Sequence, residues 1–334
     1  MKKFLALALS CSLALTTLAG CGGGSASTPA PEGTTPAGET TGGENTVYIG
    51  VFEPATGDSG AGGKQEMLGM QYANSETPTV DIGGTTYNVE LVYADNGSDS
   101  AKAPTAAAEL VGKGVSLVLG SYGSGVSIAA GPIFGEAGLA AIGVTCTNPQ
   151  VTAGNDYYFR ICFLDPFQGT VLANFATEKF SAQKAYLLGE LGNDYDQGLM
   201  NYFEQAFTAA GSDVQLYVST FYQEGGDPDF DAGIKEFING DSTNLTNNGG
   251  NDTIAAVTAM GYDAYYVALE ALKAAGSTDP GAVKAALPGV TYTGVSGDIA
   301  FDEIGDAIRD TAYIKVADTA NNAWTLETVQ TVTE

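Results

Sequence analysis

From residue 46 onward, short β-rich runs alternate with helical stretches, and this alternation constrains the chain more than any other feature. "VYIGVFE", "YNVELVYADN", "VSLVLG" and "LAAIGVT" are apolar over most positions, as strands buried on both faces must be. Helices are expected between them near residues 63–75, 100–113 and 125–137, which gives the βαβ rhythm of a parallel sheet flanked by helices. Gly83-Gly84, set between alternating apolar residues, marks a hairpin turn. A second round follows "YYFRICFLDPFQG": a helix over 167–180, a strand at "KAYLLGE", a helix over 196–210 and a strand at "VQLYVSTFY". At 334 residues the chain exceeds what one core usually holds, so two lobes are expected.

The rhythm changes at "GDPDFDAGIKEFING", residues 226–240. Where further strands are due, the pattern is helical over 231–238. A polar loop, a long helix over 253–275, a short helix from Pro280 and strands near 294–301 and 309–317 follow. Asp252 with Thr253, and Thr278 with Asp279 before Pro280, read as helix starts.

The first residues, "MKKFLALALSCSLALTTLAGC", combine a basic start with a short apolar run and small residues, the pattern of an export signal over residues 1–20. The run falls short of the roughly 20 apolar residues that span a bilayer. Residues 22–45 are rich in Gly, Thr and Pro and nearly free of apolar side chains, so they read as a tether with a reach of roughly 27 Å. A formal charge of -26 argues against nucleic acid as a partner, since phosphate binding needs clustered Lys and Arg. Of four cysteines, Cys11 falls in the signal and Cys21 at its end; Cys146 and Cys162 are compatible with a disulfide or with two buried thiols.

Ligands of open parallel sheets bind beyond the carboxyl ends of the strands, and three loops fall there. "EPATGDSGAGGKQEMLG" lacks the glycine and hydroxyl of a phosphate-binding loop, with Asp58 and Gln65 at those places, so it reads as a glycine-rich cleft wall. In "GSYGSGVSIAAG", Ser124 opens a helix, where it either helps the helix N-terminus hold a carboxylate or only caps the helix. In "GVTCTNPQVT", the Thr147 hydroxyl and a free carbonyl at Cys146 are placed to meet a carboxylate and an ammonium. Without a histidine in the chain, Cys146 has no ordinary base, which argues against an enzyme. "DNGSDS" and "FDEIGD" lack calcium-loop spacing and read as turns, so neither metal nor cofactor is expected.

Taken together, "PATGDSGAGGKQEMLGMQYA", "LVYADNGSDSAKAPTAAAELV", "GSYGSGVSIAAGPIFGEAGLAAIGVTCTNP", "YYFRICFLDPFQG", "GNDYDQGL", "MGYDAYYVALEALKAAGSTDP" and "GVSGDIAFDEIGDAI" resemble one family. It is that of the branched-chain amino acid (Leu/Ile/Val) binding proteins of ABC transporters, with the type I periplasmic binding fold. The resemblance implies an α/β, two-lobed Venus-flytrap that closes on a small amino acid and is read by ABC permease subunits. It implies a ligand carboxylate held by Ser124 and Thr147, an ammonium near the Cys146 carbonyl, and Tyr195 closing over the ligand. Leu18-Ala19-Gly20-Cys21 resembles a lipobox, implying a lipid on Cys21 and a membrane anchor. Gly62 stands where some relatives carry an aromatic, a difference that would widen or move the pocket.

The family continues past "GDPDF" through further strand-helix units, whereas here "DAGIKEFING" follows at once. Roughly 90 residues, about three βα units, are missing by this comparison, and with them the acidic residue and tyrosine-rich turn of the ligand shell. The expected lobes are 46–165 with 231–308, and an incomplete second lobe from 166–230 with 309–334. A sheet that short is marginal and leaves an apolar edge unpaired.

Overall fold

The computed structural model describes residues 45–207, 217–220, 222–318, 320–321 and 323–332. The signal, Cys21, the tether and part of "VQLYVSTFY" lie outside the described residues.

The first six strands form one sheet. β1 (Thr46–Glu53) is followed by α1 (Gly60–Glu76), β2 (Thr79–Ile82), β3 (Thr85–Asp95), α2 (Ala103–Gly112), β4 (Leu117–Leu119), α3 (Ser124–Glu136), β5 (Ala141–Gly143) and β6 (Tyr158–Arg160). Their order is β2-β3-β1-β4-β5-β6, with every pair parallel except the β2–β3 hairpin. That hairpin turns at Gly83-Gly84, both at positive φ, as a primed turn requires. β4 and β5 are buried at every position, which is why they read as continuous apolar runs; β6 is equally buried although it ends in Arg160.

Next come α4 (Asp165–Phe180), α5 (Asp194–Ala206), β7 (Tyr217–Thr220), α6 (Pro228–Gly240), α7 (Ser242–Asn247), α8 (Ala256–Ala275) and α9 (Pro280–Ala286). A hairpin of β8 (Thr291–Gly294) and β9 (Gly297–Ala300) precedes β10 (Thr311–Asp318) and β11 (Ala323–Thr331). One face of the large sheet is covered by α1, α8 and α9 through Met70, Met260, Leu272 and Val283; the other by α2 and α3 through Ala107, Leu110 and Phe134. Helices α1 and α8 cross almost in backbone contact: a Cβ at Gly69 would lie 1.9 Å from the Thr258 carbonyl oxygen, and one at Gly261 2.1 Å from that of Glu66.

The smaller sheet departs from the parallel arrangement expected of it. Its order is β11-β10-β7 and both pairings are antiparallel. "KAYLLGE" forms no strand; Tyr186 is 87% exposed and Leu188 85%. β7 pairs with β10 on one side and ends the sheet on the other, and residues 184–190 do not add to that open edge among the described residues. Among the described residues, the core under this sheet consists of Phe163, Val171, Phe175, Ala312 and Ile314, and α5 has no buried residue.

In the stretch at 226–240, Pro228–Gly240 form one continuous helix, α6. Asp227 caps α6 by accepting from the N–H groups of Asp229 and Phe230, Pro228 takes the first turn, and Phe230 packs with Ile234 and Ile238 against Leu68, Tyr72 and Tyr222. The expected join between Phe230 and Asp231 therefore lies within a single, locally consistent element. One further expectation changes and one holds. Asp252 does not cap α8, which starts at Ala256, but accepts from Asn239; Asp279 does cap α9 through the Ala282 N–H. Cys146 and Cys162 are both buried free thiols.

Candidate functional site

Because β1 lies between β3 and β4, the chain leaves it first to one side and then to the other, and such a reversal opens a crevice at the strands' carboxyl ends. Glu53 ends β1, Tyr122 and Ser124 follow β4, Thr145 to Asn148 follow β5, and Asp165 opens α4 after β6. From the opposite side α5 brings Asn193, Tyr195 and Asp196. Between them lies a cavity of about 320 Å³, lined among others by Ser59, Tyr122, Ser124, Thr147, Gln168 and Tyr195.

Three of the four expected ligand residues meet here. Ser124 is buried and accepts at Oγ from the Asn148 N–H, 3.1 Å away, so it ties the second loop to the third instead of capping its own helix, which has no side-chain cap. The Thr147 hydroxyl is buried and makes no close hydrogen bond to the protein, its polar neighbour being the Asp165 carboxyl. Such a group costs free energy unless something else satisfies it, as a bound carboxylate would. Tyr195 accepts from Gln168 Nε2 at 3.2 Å, and burial pushes its phenol up to about 12. Asn193 caps α5 through the Tyr195 and Asp196 N–H groups, while Asn148 Nδ2 donates to the Asp194 carbonyl at 2.8 Å and so holds α5 against the third loop.

Cys146 does not join them. It is fully buried and absent from the cavity lining, and its carbonyl, expected to be free, accepts from Arg160 Nη1 at 2.9 Å. Thr145 lines the cavity instead. Burial also pushes the Cys146 thiol up to about 11, in keeping with an inert side chain.

Several residues at the site carry no motif in the sequence. Arg160, 0% exposed, donates to Asp306 Oδ1 at 2.7 Å, to the carbonyls of Cys146 and Asn148, and to Thr152, so it fixes the third loop's shape. Both oxygens of Asp165 are buried without a partner, and burial pushes its carboxyl up to about 6, against the pull of the Thr147 hydroxyl and Arg160. Glu53 and Glu66 are buried side by side. Burial and each other's charge hold Glu53 well above the carboxylate range, and burial pushes Glu66 up to about 7. The signal for Glu53 is an acidic residue ending an otherwise apolar strand, "VYIGVFE".

Gly62 has a structural counterpart. A Cβ there would lie 2.5 Å from Cζ of Tyr122, so the tyrosine ring rests directly on the glycine and lines the cavity. The aromatic wall expected to be lost at Gly62 is supplied by Tyr122 from the second loop.

Comparison with known proteins agrees with this geometry. The profile of the Periplasmic binding protein family matches residues 46–261. The Leu/Ile/Val-binding protein homolog 2 of Brucella abortus is 31% identical over 172 residues, covering 51% of this chain and 46% of the relative; the chain thus spans about half that relative's length. Homolog 1 from the same organism is 28% identical over 326 residues, covering 78% of this chain and 87% of the relative. That match has more positions than the part of this chain it covers, so the relative carries tens of residues without a counterpart here. The leucine-binding protein LivK of Thermotoga maritima superposes with a TM-score of 0.72 at 26% identity, covering 86% of this chain and 99% of its own. An ABC-transporter solute-binding protein of Rhodopseudomonas palustris, in complex with 3,4-dihydroxybenzoic acid, shares the fold with a TM-score of 0.67 at 16% identity, over 87% and 99%. These are substrate-binding proteins, not enzymes.

Proposed function

The chain belongs to the periplasmic binding protein family, and from that premise we propose that it captures a small amino acid of the branched-chain type outside the cytoplasm and delivers it to an ABC importer. The observation that carries the reading is the buried Thr147 hydroxyl, without a close hydrogen bond, at the wall of a cavity that also holds Ser124 and Tyr195. A cavity of about 320 Å³ suits a ligand of that size. In the same reading, residues 1–20 direct export, Cys21 carries a lipid, and residues 21–45 tether the protein to the membrane. The lobes are 46–165 with 231–308, and 166–230 with 309–334, the second a shortened form of its counterpart in relatives.

A thermal-shift panel of the twenty amino acids, with 4-hydroxybenzoate as the aromatic-acid control, tests the ligand class. A ligand at a thousand times its Kd stabilises the fold by about 4 kcal/mol, several degrees in Tm. Shifts with leucine, isoleucine or valine are expected. A shift with 4-hydroxybenzoate alone would transfer the protein to the aromatic-acid binders. Cys21→Ala should abolish metabolic labelling by a fatty acid; retained labelling contradicts the anchor.

A further inference from the structure

Two carboxyls lie directly behind the cavity wall. Glu53, at the carboxyl end of β1, is 1% exposed, and Glu66, on α1, is 0% exposed. Each is joined to a residue that lines the cavity. Glu53 Oε2 accepts from the Tyr122 N–H at 2.7 Å, and Glu66 Oε1 accepts from the Thr145 hydroxyl. Their remaining oxygens, Glu53 Oε1 and Glu66 Oε2, are buried and have no other donor in the protein, so one proton shared between the two carboxyls satisfies both. The surrounding lining is acidic as well. Asp196 lines this cavity, Asp58, Glu190 and Asp194 line the adjoining one of about 190 Å³, and no lysine or arginine lines either. Arg160, the guanidinium nearest in the fold to Cys146, is committed to Asp306 and three other acceptors.

On the amino-acid reading above, which it presupposes, we infer that the Glu53–Glu66 pair is the cation-recognising wall of the cavity. It selects ligands that carry an ammonium over those that carry a carboxylate alone, and it gives up a proton to solvent when such a ligand is captured. The ligand's carboxylate is left to Ser124, Thr147 and backbone N–H groups, and its ammonium keeps all its protons.

The physical argument is electrostatic. Two adjacent carboxyls in a water-excluded site cannot both ionise unaided, so the pair keeps one proton near neutrality while a second, on Glu66, comes off at about pH 7. A positive charge about 6 Å away, at an effective dielectric of about 20, lowers the midpoint of that proton's release by roughly two pH units. The titratable groups facing the pair are Tyr122 from the loop after β4, Cys146 from the loop after β5, and Tyr158 from β6. Burial holds both tyrosines and the thiol above their ordinary values, so among these groups only the pair exchanges a proton near pH 7; Asp165, raised to about 6 beside Thr147, adds its own exchange, which the pair variants leave in place. Helix α8 contributes the apolar Val257 to the lining.

The experiment is titration calorimetry of the full chain at pH 7, in phosphate and in Tris, whose ionisation heats differ widely. The probes are the best binder from the amino-acid panel and its desamino acid; for leucine this is 4-methylpentanoate. The expected result is release of roughly half a proton per amino acid bound. Glu66→Gln, which still offers Thr145 an acceptor, should release less than half as much, and the desamino acid should bind at least about tenfold more weakly. If Glu66→Gln does not fold, Glu53→Gln takes its place, read as a shift in the pH at which release is largest. Buffer-independent heats, release unchanged in the variant, or equal affinity for the desamino acid would overturn the inference while leaving an amino-acid binder. Failure of every amino acid to bind would overturn the amino-acid reading and the inference with it.

Discussion

The six-stranded and the three-stranded sheet are built from the same kind of sequence, yet only one is covered on both faces. In the first, Ile49, Leu117 and Ile142 lie at 0% exposure between two helical layers. In the second, five described residues form the core, α5 buries none of its side chains, and Leu188 and Leu191 face solvent. "KAYLLGE" carries Lys184 and Glu190, unlike "VSLVLG", and it forms no strand although one edge of β7 stays unpaired among the described residues. The proposed ligand residues divide along the same line: Ser124 and Thr147 follow strands of the larger sheet, whereas Tyr195 comes from α5.

The largest effect that would sharpen this contrast comes from Arg160. Replacing it with Met leaves Asp306 buried without its cation, and a loss of about 3–5 kcal/mol is expected in chemical denaturation. A loss below about 1 kcal/mol would mean that the third loop is not held as described. Next, Ile142→Ala should cost about 2–5 kcal/mol, because a closely packed core cannot collapse around the void. Ile314→Ala, in the five-residue core, should cost less than half of whatever Ile142→Ala costs; equal losses would break the comparison.

A third test uses pH. Glu66 has its carboxyl raised to about 7 in the folded protein, so its protonated form is the one the fold prefers. That contribution is complete below the unfolded value near 4.5 and is lost as pH rises through about 7, on the order of 3 kcal/mol in all. Glu66→Gln should flatten the stability profile between pH 5 and 8; an unchanged slope would remove the pair from the account. Gly62→Ala comes next in size. Its Cβ meets the Tyr122 ring, and overpacking of this kind costs about 1–3 kcal/mol while displacing a cavity wall, so weaker ligand binding should accompany the lower Tm. The smallest effect is that of Leu188→Lys, which should change stability by no more than about 0.5 kcal/mol, since the side chain is exposed.

Much of the larger unit was legible in the sequence, because continuous apolar runs and glycine turns are local signals that tertiary packing reinforced at β1, β3, β4 and β5. α7, set within a loop expected to be polar and irregular, and β11 were not. α7 depends on the Asp241 cap, which accepts from the Thr243 and Asn244 N–H groups, and β11 on pairing with β10. At the site, Ser124, Thr147 and Tyr195 followed from loop position and resemblance. The carbonyl of Cys146 could not be judged, because its partner Arg160 is 14 residues away in sequence and carries no motif. The same holds for Tyr122 on Gly62 and for Glu53 beside Glu66, contacts between loops that only the assembled sheet brings together.

The central claim, a complete unit joined to an underbuilt one, is tested most directly by segment-resolved amide hydrogen exchange on the ligand-free protein. The account predicts that amides of β1, β4 and β5 exchange only through global unfolding. Those of β10, β11 and residues 184–191 should exchange at least about a hundredfold faster. Uniform protection across both sheets, with residues 184–191 as slow as β4, would contradict it.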